Sequence, residues 1–189
     1  MRVLGISGSL RRDSHNTRLL RAAAELLPPG AELVVWEDLK AIPPYDADDD
    51  ELGRPPAVEA LDAAIRDADV VLFATPEYNH SLPGTLKNAL DWLSRPLATN
   101  PLWGKPVAVV GASTGLFGAV WAQADLRKVL GALSAQVIDR ELPVGQADAA
   151  FTGDGRLADA DLEQLYVEEL EELLAAARVP AAAGPSAAV

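Results

Sequence analysis

Val3-Leu-Gly-Ile-Ser-Gly-Ser-Leu-Arg-Arg-Asp-Ser-His-Asn-Thr-Arg-Leu-Leu20 is the stretch on which the reading of this chain turns. Val3, Leu4 and Ile6 read as a short buried strand. Gly5, Ser7, Gly8 and Ser9 then form a small polar loop. From Asn16 onward Leu19, Leu20, Ala23, Ala24 and Leu27 recur at helical spacing. A strand, a tight polar loop and a helix N-terminus together make an anion site, because the unpaired N–H groups of the first turn and the helix dipole point into the loop. Ser9, Ser14, Asn16 and Thr17 add neutral donors, and Arg11 adds a planar cation suited to phosphate. Two better-known phosphate loops do not fit. A P-loop requires Gly-Lys-Ser/Thr, and this loop has no Lys. The G-x-G-x-x-G fingerprint is not supplied by Gly5 and Gly8. What remains is a Ser/Arg/Asn cradle for one terminal phosphate or, failing that, an ordinary βα turn with capping residues.

The whole chain narrows the function classes. Its 189 residues fit one domain, with a folded region expected over 1–178 and a frayed Ala/Gly/Pro/Ser tail over 179–189. Acidic residues number 28 against 16 basic, a formal net charge of −12, which disfavours nonspecific binding to nucleic acid or an anionic membrane. A bound phosphate therefore needs local cations, and Arg11, Arg12 and Arg18 cluster at the first helix. With no cysteine, thiolate nucleophiles and Cys-ligated metals are excluded, and two histidines make a His-rich metal site an unlikely design. The first strand follows Met1 directly and no apolar run reaches about 18 residues. A cytoplasmic protein is expected.

Further along, Glu32–Trp36 reads as a second strand and the segment 41–56 as a long acidic loop. Val58, Leu61, Ala64 and Ile65 mark a second helix. Ala68–Ala74 is a continuous apolar third strand, buried on both faces. A stiff loop, Thr75-Pro-Glu-Tyr-Asn-His-Ser-Leu-Pro-Gly84, precedes a third helix that ends before Pro96. Lys105–Gly111 is the fourth strand and Ala112–Gly118 its Gly-rich loop. A helix through Val120 to Leu133, a short strand at 135–138 and an acidic helix over 161–177 complete the pattern. Five alternations of strand and helix predict an α/β three-layer sandwich. Its five-stranded parallel sheet takes the flavodoxin-like order 2-1-3-4-5. The switch point of that order lies between strands one and three, beside the two most distinctive loops.

The first of those loops takes a phosphate. The second offers backbone groups at fixed positions for the edge of a planar heterocycle, and the third brings Ser113, Thr114 and Gly115 close. Phosphate plus flat ring on such a sheet suggests a mononucleotide, FMN most naturally. Gly8-Ser-Leu-Arg-Arg-Asp-Ser-His-Asn16 then resembles the phosphate loop of the NADPH-dependent FMN reductase family, whose members include quinone, chromate and azo-dye reductases. Pro76-Glu-Tyr-Asn79 followed by Pro83-Gly-x-x-Lys-Asn-x-x-Asp-Trp92 is similar to the family's second motif. The resemblance implies noncovalent FMN, with Ser9, Arg11, Ser14, His15, Asn16 and Thr17 about its phosphate. Pro76, Glu77, Tyr78 and Asn79 would border the ring on one side, and Ser113, Thr114 and Gly115 on the other. NADPH or NADH would be the electron donor, and a quinone, chromate, azo compound or flavin the acceptor, served in turn by a ping-pong route. Homodimers or homotetramers are implied, with the helix 84–94 and Trp92 near the subunit boundary. His15 is expected at the surface, Glu77 as a hydrogen-bonding loop residue and His80 at the rim. No side-chain catalyst and no metal are expected, since the chemistry would be flavin-borne. A flavodoxin-type electron carrier and a nonenzymatic FMN-binding module are the competing readings.

Overall fold

Short apolar runs alternating with amphipathic segments fold here as successive βα units. The computed structural model describes residues 1–178; the tail expected over 179–189 lies outside the described residues. Strands β1 (Arg2–Ser7), β2 (Glu32–Trp36), β3 (Val70–Thr75), β4 (Pro106–Ala112) and β5 (Gln136–Val137) form a parallel sheet in the order β2-β1-β3-β4-β5. β3 and β4 are buried along their whole length, as their unbroken apolar sequences require. Helices α1 (His15–Leu26) and α6 (Ala160–Ala176) cover one face, where Leu19, Leu20 and Ala23 share a core with Tyr166, Leu170 and Leu173. Helices α3 (Pro56–Asp67), α4 (Gly84–Leu93) and α5 (Val120–Ala132) cover the other, through Leu61, Ile65, Leu90, Trp92 and Leu126. The layer order and strand order are those predicted.

Two expectations need correction. The fifth sheet position is divided. β5 pairs with Pro106 and Val107, and a further strand, β6 (Leu142–Val144), pairs with Val110, Gly111 and Ala112. Between them Asp139, Arg140 and Glu141 leave the ladder. Arg140 reaches Glu168 (3.2 Å) and Glu172 (2.6 Å) on α6, and Glu141 pairs with Arg127 on α5. Three successive residues with strongly hydrated side chains favour the solvent over a continuous strand. The buried Gln123 repairs the gap. Its Nε2 donates to the carbonyls of Gly118 (3.0 Å) and Leu142 (3.2 Å), and its Oε1 accepts from Leu142 N–H (3.2 Å).

The second correction concerns residues 41–56, which are not all loop. A 3₁₀ turn spans Asp38–Ala41, and α2 (Ala47–Leu52) follows, capped by Asp46 accepting from Asp48 N–H at 2.8 Å. The acidic run Asp48–Asp50 occupies the first turn of α2, where the helix dipole favours negative charge.

Candidate functional site

Three loops leave the carboxyl ends of β1, β3 and β4. The first is folded by its own hydroxyls. Ser14 is the N-cap of α1, its buried Oγ accepting from Asn16 N–H and Thr17 N–H at 3.2 Å each. Thr17 Oγ1 donates to Ser7 Oγ (3.1 Å), and that oxygen also accepts from Ser9 N–H (3.3 Å). Gly8 is pressed between Pro76, Pro83 and Leu86: a Cβ there would lie 3.0 Å from Leu86. Arg11 stands exposed, with no carboxylate within ion-pair distance among the described residues.

Asn16 and His15 differ from expectation. Asn16 is buried, and both ends of its amide are occupied. Nδ2 donates to Ala112 C=O (3.0 Å) and Oδ1 accepts from Ala112 N–H (2.9 Å). This amide acts as a piece of strand, locking the start of α1 to the end of β4. His15 is not at the surface. Its side chain is 14% exposed, its Nε2 lies 3.1 Å from Asp148 Oδ1, and its ring stacks on Phe151. Its Nδ1 is buried without a hydrogen-bond partner.

The second loop closes on itself. Tyr78 and Ser81 exchange both backbone hydrogen bonds (3.1 and 3.2 Å), with Asn79 (φ 53°) and His80 (φ 61°) between them. Two consecutive left-handed residues in a two-residue loop make a type I′ turn, and Asn tolerates that conformation better than most residues. Glu77, in the loop, caps a distant helix: Oε2 accepts from Trp121 N–H (3.1 Å) and Ala122 N–H (3.3 Å) in the first turn of α5. His80 lies at the rim, its Nδ1 3.7 Å from Glu77 Oε1 and its ring edge-on to Trp121.

The third loop is clamped to β6. Ser113 N–H bonds Val144 C=O, Ala147 N–H bonds Ser113 C=O and Gln146 N–H bonds Gly115 C=O, at 2.9 to 3.0 Å. The backbones approach so closely at Gly118 (φ 57°) that a Cβ would lie 2.2 Å from the Pro143 carbonyl carbon.

Together the loops enclose a crevice of about 170 Å³. Ser9, Arg11, Ser14, His15 and Asn16 line it from the first loop, Pro76, Glu77 and Tyr78 from the second, and Ser113 and Thr114 from the third. Three of the predicted residues do not line it. Thr17 turns toward Ser7, Asn79 serves the turn, and Gly115 lies in the backbone clamp. The sequence profile of the NADPH-dependent FMN reductases matches residues 1–149.

This chain belongs to that family.

The chain is 46% identical over 174 residues to an NAD(P)H-dependent FMN reductase of Pseudomonas aeruginosa, covering 92% of this chain and 93% of the relative. It is 44% identical over 141 residues, 74% of each chain, to a quinone reductase of Escherichia coli. Among solved structures, FerB, a flavoenzyme NAD(P)H:(acceptor) oxidoreductase from Paracoccus denitrificans, superposes with a TM-score of 0.82 at 33% identity. That superposition covers 94% of this chain and 97% of FerB. The protein is thus an oxidoreductase of the FMN reductase family, a family working with FMN and NAD(P)H. No helix among the described residues is long and apolar enough to cross a membrane.

Part of the chain's second motif supports the loop after β2. Asn88 Oδ1 accepts from Tyr45 N–H (2.8 Å), while Asn88 Nδ2 (2.7 Å) and Trp92 Nε1 (2.9 Å) both donate to Pro43 C=O. Trp92 is fully buried and meets Tyr45 edge-on, so its own side chain belongs to the core and forms no part of the surface of the chain. That Asp148 and Phe151 hold His15 was not foreseen from the sequence, since they sit 133 or more residues from their partner in a segment without periodicity.

Proposed function

We propose that the protein is an NAD(P)H:quinone oxidoreductase that holds FMN noncovalently in the crevice above β1, β3 and β4. The carrying observation is the convergence of three loops on one crevice whose donors suit a phosphate monoester at one end and a flat ring at the other. The hydroxyls of Ser9 and Ser14, the Arg11 guanidinium and the N-terminal amides of α1 would hold the phosphate. Thr17 would act one layer behind, and Asn16, on the crevice wall with its amide committed to Ala112, would fix the loop's shape. Backbone edges of Pro76–Asn79 and Ser113–Gly115 would border the ring, with Tyr78 over it and Glu77 keeping the second loop against α5. His15, which lines the crevice, would stand on the cofactor's phosphate side.

FMN, when bound, supplies the redox chemistry between nicotinamide and acceptor. The chain's task is to bind, orient and exclude. It has no second nucleotide fingerprint, so donor and acceptor would use the same opening in turn, giving ping-pong kinetics. Quinones are the favoured acceptor class because relatives carry the names quinone reductase and 2-hydroxy-1,4-benzoquinone reductase. Chromate, azo compounds and free flavin are the other candidates. A homodimer or homotetramer fits the exposed apolar rim of Tyr78, Leu116, Phe117 and Trp121, and a cytoplasmic location fits the class.

The test begins with the visible spectrum of the purified protein. Anaerobic addition of NADPH or NADH should bleach bound flavin within the turnover time, and a quinone should restore the colour. Flavin that bleaches only with dithionite would mark an electron carrier instead. Parallel double-reciprocal lines with both substrates varied support the shared opening, and intersecting lines overturn it.

A further inference from the structure

A second cavity, of about 350 Å³, lies on the opposite side of the first loop, between it and the carboxyl end of β2. It shares Ser9 and Arg11 with the flavin crevice, so the two spaces meet along that loop. Its charged lining is Arg11, Arg12, Arg21 and Lys40 against Glu37 alone. On a chain of net charge −12 this concentration of cations runs against the global composition. Arg11, Arg12 and Lys40 have no carboxylate within 4 Å among the described residues, and Arg21 has only a loose pair with Glu37 at 3.9 Å, both side chains well exposed. Elsewhere Arg54, Arg66, Arg127, Arg140 and Arg156 are closely paired, while Arg2, Arg18 and Arg95, scattered over the molecule, also have no carboxylate within 4 Å among the described residues. What distinguishes the cavity is that its cations are gathered in one place. The floor is apolar, made of Val35, Trp36 and Leu39. A cavity with unpaired cations around its mouth and an apolar floor suits a ligand with a doubly charged phosphate on a heteroaromatic nucleoside.

Resting on the proposed function, we infer that this cavity binds the adenosine 2′-phosphate of NADPH, and that Arg12, Arg21 and Lys40 set the preference for NADPH over NADH. In the dinucleotide-binding α/β fold these two nucleotides are told apart at the carboxyl end of the second strand, where a carboxylate accepts from the free ribose hydroxyl and a cation receives the phosphate. This chain lacks that fold's glycine fingerprint, so the charges at the strand end alone carry the discrimination. Both residue types stand at this position. Glu37 is the carboxylate, but Arg21 sits beside it and Arg12 and Lys40 line the same space, so the balance favours the phosphate. The nicotinamide end of the same dinucleotide would reach over Ser9 and Arg11 into the flavin crevice.

The test uses the FMN-loaded protein and two readouts. In binding titrations, 2′,5′-ADP should bind about tenfold more tightly than 5′-AMP, which lacks the 2′-phosphate. The double variant Arg12→Ala/Lys40→Ala should abolish that difference. In steady-state turnover the same variant should lower kcat/KM for NADPH by roughly ten- to fiftyfold and leave kcat/KM for NADH within about twofold. Equal binding of 2′,5′-ADP and 5′-AMP by the wild type overturns the inference, as does an equal loss of NADPH and NADH turnover in the variant. Weakened FMN affinity in the variant also overturns it, because the cavity would then belong to the flavin phosphate. A protein that turns over neither nicotinamide refutes the proposed function instead, and the titrations still decide this one.

Discussion

Arg11 and Asn16 stand five positions apart in one motif and do different work. Arg11 projects freely at the crevice, so its truncation tests ligand contact. Arg11→Ala should weaken FMN binding roughly ten- to a hundredfold, with little change in folding stability, as measured by fluorescence titration and urea unfolding. Riboflavin, lacking the phosphate, should bind much more weakly than FMN. Asn16 is the converse case. Asn16→Ala would leave the N–H and C=O of Ala112 buried and unpaired, costing about 2–4 kcal/mol in urea unfolding. An Asn16→Ala protein as stable as the wild type would sink the strand-surrogate role. Ser14 was legible as a cap because capping is local chemistry. The amide clamp was not, since nothing in the sequence near Asn16 reveals a partner 96 residues away.

Elements carry two further consequences. On α6 the Glu169 carboxyl is buried with neither oxygen hydrogen-bonded, beside Tyr166 and Glu172 of its own helix and facing Arg127 and Arg140. Burial pushes it from the ordinary 4.5 up to about 8, the two arginines offsetting this in part. The folded protein therefore holds a proton that the unfolded chain loses near pH 4.5. This group's contribution to stability should fall as pH rises from about 4.5 toward 8 and level off above, by at most about 5 kcal/mol. Glu169→Gln, neutral at every pH, should flatten that decline and be the more stable protein at pH 8.5. Urea midpoints of the two proteins that run parallel across pH 5–8.5 would rule this out. At the β4–α5 junction, Gly118→Ala forces a Cβ into the Pro143 backbone at a left-handed φ. It should destabilise by about 2–4 kcal/mol and loosen FMN, readable in the same unfolding and titration assays. Element types and order were readable from periodicity. The division of the fifth strand was not, because two- and three-residue strands carry no period to detect, and α2 hides in an acidic run that reads as loop.

At the scale of the molecule, alternation alone implied a parallel sheet, and the switch-point rule put the ligand loops where they converge. Part of the second motif is structural, since Asn88 and Trp92 hold Pro43. Residue types suited to a site are equally suited to pinning a loop, and burial decides between them. With Trp92 in the core, a subunit contact is more reasonably sought at the apolar rim. Sedimentation at micromolar concentration should give a mass at or above twice 19.9 kDa, and Phe117→Lys/Trp121→Lys should return it to one chain. A wild-type mass near one chain would count against the dimer.

The divided fifth position also bears on how the molecule avoids its neighbours. An uncovered sheet edge is a template on which another chain can add a strand. On this side the template is broken into pieces of two and three residues, with Asp139, Arg140 and Glu141 between them. The far edge has no such interruption: β2 runs five residues and leaves Val34 42% exposed. When heat or acid loosens the covering helices, templated aggregation should begin along β2. Val34→Lys should delay turbidity on heating, whereas new charge near β5 and β6, where charge already stands, should change little.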